Sequence, residues 1–399
     1  MKKIAVILIA FVALMIAALV TAFVLSAPPP PETIPPDLQV VRYNIPAESN
    51  AYTYFLRATN YMRYPESREA EIRISGMIEG RTNWDAQFAA AILLSNEQAL
   101  AEIDRGLACS RCQMPARESY DTPMPHLPCW RNLARCMALR SRSLFLNSRQ
   151  EEAFESVRKS LAFGSLIQGG SGTLIEHMAG ASIRRLGLNE LTNMAGRCSL
   201  SSSSLVHYAA SIMGFEVSPE GYRNVLVGEY HMSCAFVDRC GQNYRTNAYG
   251  RLVATLARTS YFFQPAATKR LSREIYTQWM QAAEKPLSLI ARDEPEDDRR
   301  HLLHFLKPNG LGRSIHRFMR PSFHGMIAAR CKTKAVSRCC GLLLLLKAYQ
   351  LDHGHLPATL DALVPDYLAQ VPADPFDGKP MRYSAERKIV YSVGENLTD

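Results

Sequence analysis

The chain has 399 residues, of which 47% are hydrophobic and 21% charged. That balance excludes a disordered protein and a single small domain, and leaves room for two or three domains. The net charge of +9, from 46 basic and 37 acidic residues, is spread along the chain rather than gathered in runs, so it argues against nucleic acid as a partner and suits anionic headgroups, lipopolysaccharide or acidic polymers at most.

Lys2 and Lys3 precede an uncharged, apolar run over residues 4–26. Its 23 residues match the ~20 that a helix needs to cross a bilayer, and exceed the about 7–15 of a cleaved secretory signal. Small residues at Val20-Thr21-Ala22 and Leu25-Ser26-Ala27 make poor cleavage sites, the second because Pro28 follows it. Residues 1–27 are therefore expected to be an uncleaved, single-pass transmembrane anchor in the inner (cytoplasmic) membrane. The flanking lysines place the N-terminus in the cytoplasm and the C-terminal body on the extracytoplasmic, periplasmic side. Residues 28–45 form a Pro-rich linker that opens with PPPPETIPP. Proline lacks the N–H and fixes φ, so this reads as a stiff polyproline spacer.

Residues 46–325 are expected to be an all-helical body. Ala51, Tyr54, Phe55 and Ala58 recur at spacings of three and four, as one helical face requires. A second apolar helix covers residues 84–94, and Ser95-Asn96-Glu97 breaks and recaps the chain before Leu100, Ile103 and Leu107. Residues 130–146 and 151–163 read as two helices joined by the tight connection Asn147-Ser148-Arg149. Such hairpins raise the possibility of a tetratricopeptide-type solenoid, but no fixed period recurs. Residues 169–172 (GGSG) and the serine-rich residues 200–205 are expected to be loops. Leu271, Ile275 and Trp279 mark a further helical face, followed by an acidic stretch over residues 293–298.

From residue 326 to 399 the pattern changes to a small α+β module. A long helix over residues 326–353 carries five consecutive leucines, Leu342 to Leu346, too few to span a membrane. Gly354 and Pro357 stop it. A short helix at residues 359–363 follows, then a turn-rich PADPFDG, then strands at residues 381–384 and 388–393 that make a hairpin.

The ten cysteines include the local pairs Cys109/Cys112, Cys129/Cys136 and Cys234/Cys240. These fit structural disulfides or buried thiols better than a zinc site, whose second ligand pair would be spaced too widely, or a redox motif, since Cys109 ends a helix instead of starting one. Ser156-x-x-Lys159 spells a penicillin-recognising motif without its companion elements; Lys332-Thr333-Lys334 does not supply them. His301 and His304 share a helical turn, with His316, His324, His353 and His355 further on, but His-Glu-x-x-His is missing. No catalytic, cofactor-binding or metal site is assigned.

Tyr349, Asp352, Gly354 and Pro357, then Asp374, Pro375, Gly378 and Pro380, then Tyr383 and Tyr391, form a pattern that resembles the C-terminal domain of type II secretion major pseudopilins. The whole chain looks like uncharacterised membrane-anchored bacterial proteins that end in this module. The resemblance implies a long helix packed on a closing hairpin over about the last sixth of the chain. The pseudopilin processing site Gly-Phe-Thr-Leu-x-Glu is absent, and Lys-Lys-Ile-Ala-Val stands near the start instead. Pseudopilins hold calcium in a longer acidic loop. Here Asp374, Asp377, Glu395, Asn396 and Asp399 supply only part of such a shell, and Asp374 and Asp377 read as turn residues.

The expected protein is thus mainly α, and its expected role is that of a non-enzymatic, membrane-anchored scaffold or interaction protein of the bacterial envelope with a protein partner. The alternatives are an envelope hydrolase with its site in a cleft of the helical body, or an accessory component of a type II secretion or pilus-like system.

Overall fold

The computed structural model describes residues 12–17, 34–117, 119–170, 172–240, 261–290, 307–319 and 323–399. Most of the expected anchor, the acidic stretch at 293–298 and the pair His301/His304 lie outside these. Residues 12–17 are helical, with Val12, Leu14, Met15 and Ile16 exposed. Among the described residues no helix is long and apolar enough to cross a membrane.

The expectation of a mainly helical chain is met. Helices α1 (Ala51–Tyr61), α2 (Arg68–Glu79), α3 (Ala86–Ser95) and α4 (Glu97–Leu107) precede two long antiparallel partners, α5 (His126–Leu146) and α6 (Gln150–Gly169). Then follow α7 (Leu174–Ala195), α8 (Ser202–Gly214), α9 (Pro219–Arg239), α10 (Pro265–Ala282), α11 (Gly310–Met319) and α12 (Phe323–His353). The starts obey simple chemistry: the side chains of Asn50, Ser67, Asp85, Thr173, Ser201 and Ser218 each accept a hydrogen bond from a first-turn N–H.

Ala51, Phe55 and Ala58 are buried on α1 as their spacing predicts, while Tyr54, the fourth residue of that expected face, is only half-buried. Asn96 separates α3 from α4. Fully buried, it accepts from the Arg63 N–H at 2.8 Å and donates to the carbonyls of Arg63 and Ile92 at 2.6 and 2.9 Å. Trp130 of α5 anchors the first core, its indole N–H donating to the Phe55 carbonyl at 3.0 Å and its ring set edge-on to Phe55 and Phe163. The α5–α6 connection runs through Ser148, at φ 60°.

Helices α6 and α7 come unusually close. A Cβ at Gly164 or at Gly180 would stand 2.6 Å from the other residue's carbonyl oxygen, so the crossing is open to glycine alone. Two sequence expectations are corrected here. The serine-rich stretch at 200–205 is mostly helix: Ser201 caps α8, and Ser202 to Leu205 form its first turn. Serine competes for backbone hydrogen bonds, which favours caps as much as loops. On α10 the buried stripe is Thr268, Ser272, Tyr276 and Trp279, while Leu271 and Ile275 are only half-buried. The aromatic rings set the rotation, because Tyr276 packs on Tyr230 and Trp279 stacks on Phe323 at 4.9 Å.

The C-terminal part contains the expected hairpin, β1 (Arg382–Ser384) antiparallel to β2 (Ile389–Tyr391), with Tyr383 opposite Val390. Gly354 ends α12 at φ 78°, and a 3-10 turn covers Leu360–Leu363. The position expected to divide body from module, 325/326, falls inside α12. The N-terminal half of that helix packs into a core with α9 and α10, and its leucine-rich half shares a core with α6, α7 and α8. The linker is likewise joined to the body: Leu38 is fully buried among Tyr222, Leu226 and Trp279, a burial worth about 1.5–3 kcal/mol.

Candidate functional site

Two features stand out, a knot of buried charge and an open groove. The knot forms at the N-terminus of α7. Glu176, fully buried, accepts from Arg117 at 2.6 Å and from the Thr173 N–H at 2.8 Å, closing a capping box. His126 Nε2 stands 3.5 Å away, beyond a strong hydrogen bond. From α9, Glu229 accepts from the Leu174 N–H at 2.7 Å and from the Tyr120 hydroxyl at 3.4 Å. Burial would raise both carboxyls. In Glu176 the nearby His126, Arg117 and Thr173 N–H outweigh it and hold the group at about 2, whereas in Glu229 burial prevails and the group is raised.

Two carboxyls driven apart in this way are what general acid–base chemistry requires. The cavity beside them, lined by Arg117, Gly172, Thr173 and His231 among others, measures only about 30 Å³. That is the space of roughly one water molecule. Among the described residues the knot thus ties the chain around Arg117 and Tyr120 to two helices, beside a cavity too small for a substrate.

The groove is different in scale, about 700 Å³ and open to solvent. One wall is the strap of residues 41–45, which crosses the body outside regular secondary structure and turns tightly where the Ile45 N–H donates to the Tyr43 carbonyl at 3.0 Å. The second wall is the turn after α4, with Cys109, Arg111 and Gln113; the floor is the Arg158, Ala162, Ser165 and Leu166 stripe of α6; Phe215 and the start of α9 close the far side. The strap is held by its backbone. Tyr43 N–H donates to Gln113 Oε1 at 2.7 Å, and Gln113 Nε2 donates back to the Tyr43 carbonyl at 2.9 Å. This reciprocal pair is the arrangement that one β-strand residue offers another. The Tyr43 ring lies under the Arg111 guanidinium, 4.0 Å from ring centroid to cation, and its hydroxyl donates to Glu220. Gln113 is placed by Asn50, which accepts from its N–H and donates to its carbonyl, both at 2.9 Å.

The residues singled out by sequence are dispersed. Cys109 and Cys112 both line the groove but form no disulfide, and no disulfide joins any other pair among the described residues. Burial pushes both thiols upward, the reverse of what a reactive CxxC needs. Ser156 is buried and donates to the Met137 carbonyl, while Lys159 pairs with Asp104 at 2.8 Å, so the two do not converge. His316 sits 3.1 Å from the Ser272 hydroxyl, and His353 stacks on Tyr349.

Asp374 and Asp377 do act as turn residues, accepting from the Phe376 and Lys379 N–H groups. Asp374 is fully buried and also takes Arg382, Ser392 and the Val393 N–H. The Arg382 guanidinium thus bridges Asp374 and Asp377. Gln113, Tyr43, Arg111 and Glu220 were not legible as a site, because they lie far apart in the chain and belong to no motif.

Comparison with protein-family models, curated proteins and solved structures finds no match to this chain.

Proposed function

We propose that the chain is a non-enzymatic, membrane-anchored interaction protein of the bacterial envelope that holds an extended segment of a protein partner in the groove beside the strap. The observation supporting this reading is the two-point amide clamp of Gln113 on the Tyr43 backbone. There a side chain of the body holds a segment outside regular secondary structure by its main-chain N–H and carbonyl, the groups that strand-type recognition also engages, with an open trough alongside. Leu107, Leu166 and Phe215 offer apolar contact, while Arg158 and Asn224 offer polar contact. The anchor and extracytoplasmic orientation rest on the composition of residues 1–27. A role as an accessory component of a secretion or pilus-like system rests on the pattern at 349–391 alone. The hydrolase alternative has one favourable observation, the Glu176/Glu229 pair, and the 30 Å³ cavity beside it weighs against it.

The test is photo-crosslinking in native membranes. A photoreactive residue at Ser110 or Ser165, in the groove, is expected to give a discrete protein adduct that the same residue at exposed Asp361 does not. Identical adducts from all three positions, or none from the groove, would sink the reading.

A further inference from the structure

On a face that shares no lining residue with the groove, α2, α5 and α7 enclose a second concavity of about 540 Å³. Its lining mixes polar and cationic side chains with the apolar Ile78 and Leu186. Arg131 and Arg135 lie one turn apart on α5, and Arg185 faces them from α7 beside Asn189. Arg135 is shared with Glu71 and Asn132 at 3.1 and 2.8 Å. Arg131 and Arg185 have no ion pair or hydrogen bond among the described residues. The one acid in the lining, Glu79, is paired with Arg81.

Glu71 already serves Arg135 as a counter-ion, which leaves the exposed guanidinium groups of Arg131 and Arg185 without one among the described residues. Arginine forks match the oxygens of phosphoryl groups in pairs, and the amide of Asn189 adds a neutral donor. The volume lies within the about 300–1,000 Å³ of small-ligand sites. Contributing residues come from three helices, two of which (α5 and α7) pack directly on each other. The backbone positions are therefore set by packed helices, while the Arg131, Arg185 and Asn189 side chains reach out from them into solvent.

We propose that this concavity is a binding site for a phosphoryl oxyanion, with Arg131 and Arg185 as its primary ligands and Arg135 and Asn189 in support. The same chemistry would recognise a soluble phosphate ester or polyphosphate and the phosphate of a lipid headgroup. The proposal stands independently of the groove.

The full chain in neutral detergent would be titrated calorimetrically with inorganic pyrophosphate. In parallel, its retention on phosphatidylcholine vesicles would be compared with and without phosphatidic acid. Arg131→Gln/Arg185→Gln is the site variant, and Arg57→Gln/Arg68→Gln, on exposed positions of α1 and α2, is the charge-matched control. Each removed charge-assisted contact is expected to weaken binding about tenfold or more. Saturable pyrophosphate binding lost in the site variant but kept in the control supports a soluble ligand. Binding to phosphatidic acid alone, with the same dependence, supports a headgroup. No binding in either arm, or equal loss in both variants, overturns the site. Far-UV circular dichroism of both variants separates unfolding from lost recognition.

Discussion

Glu190 shows what burial does to a single ionisable side chain. It lies fully buried on α7, with the Arg142 guanidinium 3.5 Å away. Burial pushes its carboxyl up to about 7, and the charge of Arg142 draws it back only in part. The folded group holds its proton more tightly than the unfolded one, whose ordinary value is 4.5. Its contribution is therefore fully present below about pH 4.5 and is lost as pH rises through 7. Glu190→Gln keeps the shape and cannot ionise. Its stability relative to the parent should improve between about pH 5 and pH 8, by up to about 3 kcal/mol. Urea denaturation of both proteins at the two pH values measures this, and an unchanged difference would remove Glu190 from the account. His177 works in the opposite direction. Burial holds its imidazole down at about 4, so its contribution is present above its ordinary value of 6.5 and is lost as pH falls through 4.

At the scale of elements, the α6–α7 crossing and the strap carry the most specific expectations. Gly180 sits so close to the Gly164 carbonyl that even a methyl group must push the helices apart. Gly180→Ala raises helix propensity by about 1 kcal/mol, yet it should destabilise the protein overall by about 1–3 kcal/mol through overpacking. A rise in melting temperature would contradict the crossing as described. The strap is fastened at Leu38 and at Tyr43, where Gln113, Arg111 and Glu220 converge. Gln113→Ala removes the clamp and leaves the core untouched. Proteolytic cleavage within residues 39–46 should accelerate several-fold while the melting temperature stays within about 2 °C. Equal cleavage rates in both proteins would show that the clamp does not hold the strap.

For the whole molecule the decisive element is α12. It contributes Phe323, Ile327 and Cys331 to one core and Leu342, Leu344 and Leu345 to another, so it couples the helical array to the C-terminal hairpin. Gly341 lets it approach α8 closely, since a Cβ there would meet Met213 at 2.6 Å. Deleting residues 323–399 would uncover α8 and α10 together. The truncated protein is expected to keep far-UV helical signal while losing near-UV signal and cooperative melting, as unpacked helices do. A sharp melt near that of the parent would show that the body folds without α12.

Sequence alone determined much of the local order, because local order depends on neighbours in the chain. The α1 face, the breaks at Asn96 and Gly354, the turn at Ser148 and the closing hairpin follow from side-chain period, capping and turn chemistry. Where a packing partner decides the outcome, the period was insufficient: α10 rotates to bury Tyr276 toward Tyr230, and serines 202–204 become a helical turn because Ser201 caps it. The groove and the arginine concavity were decided by tertiary structure alone. Tyr43 meets Gln113 across 70 positions, and Arg131 and Arg185 come from separate helices. No pattern in a linear chain records which distant side chains the close crossing of helices will bring face to face.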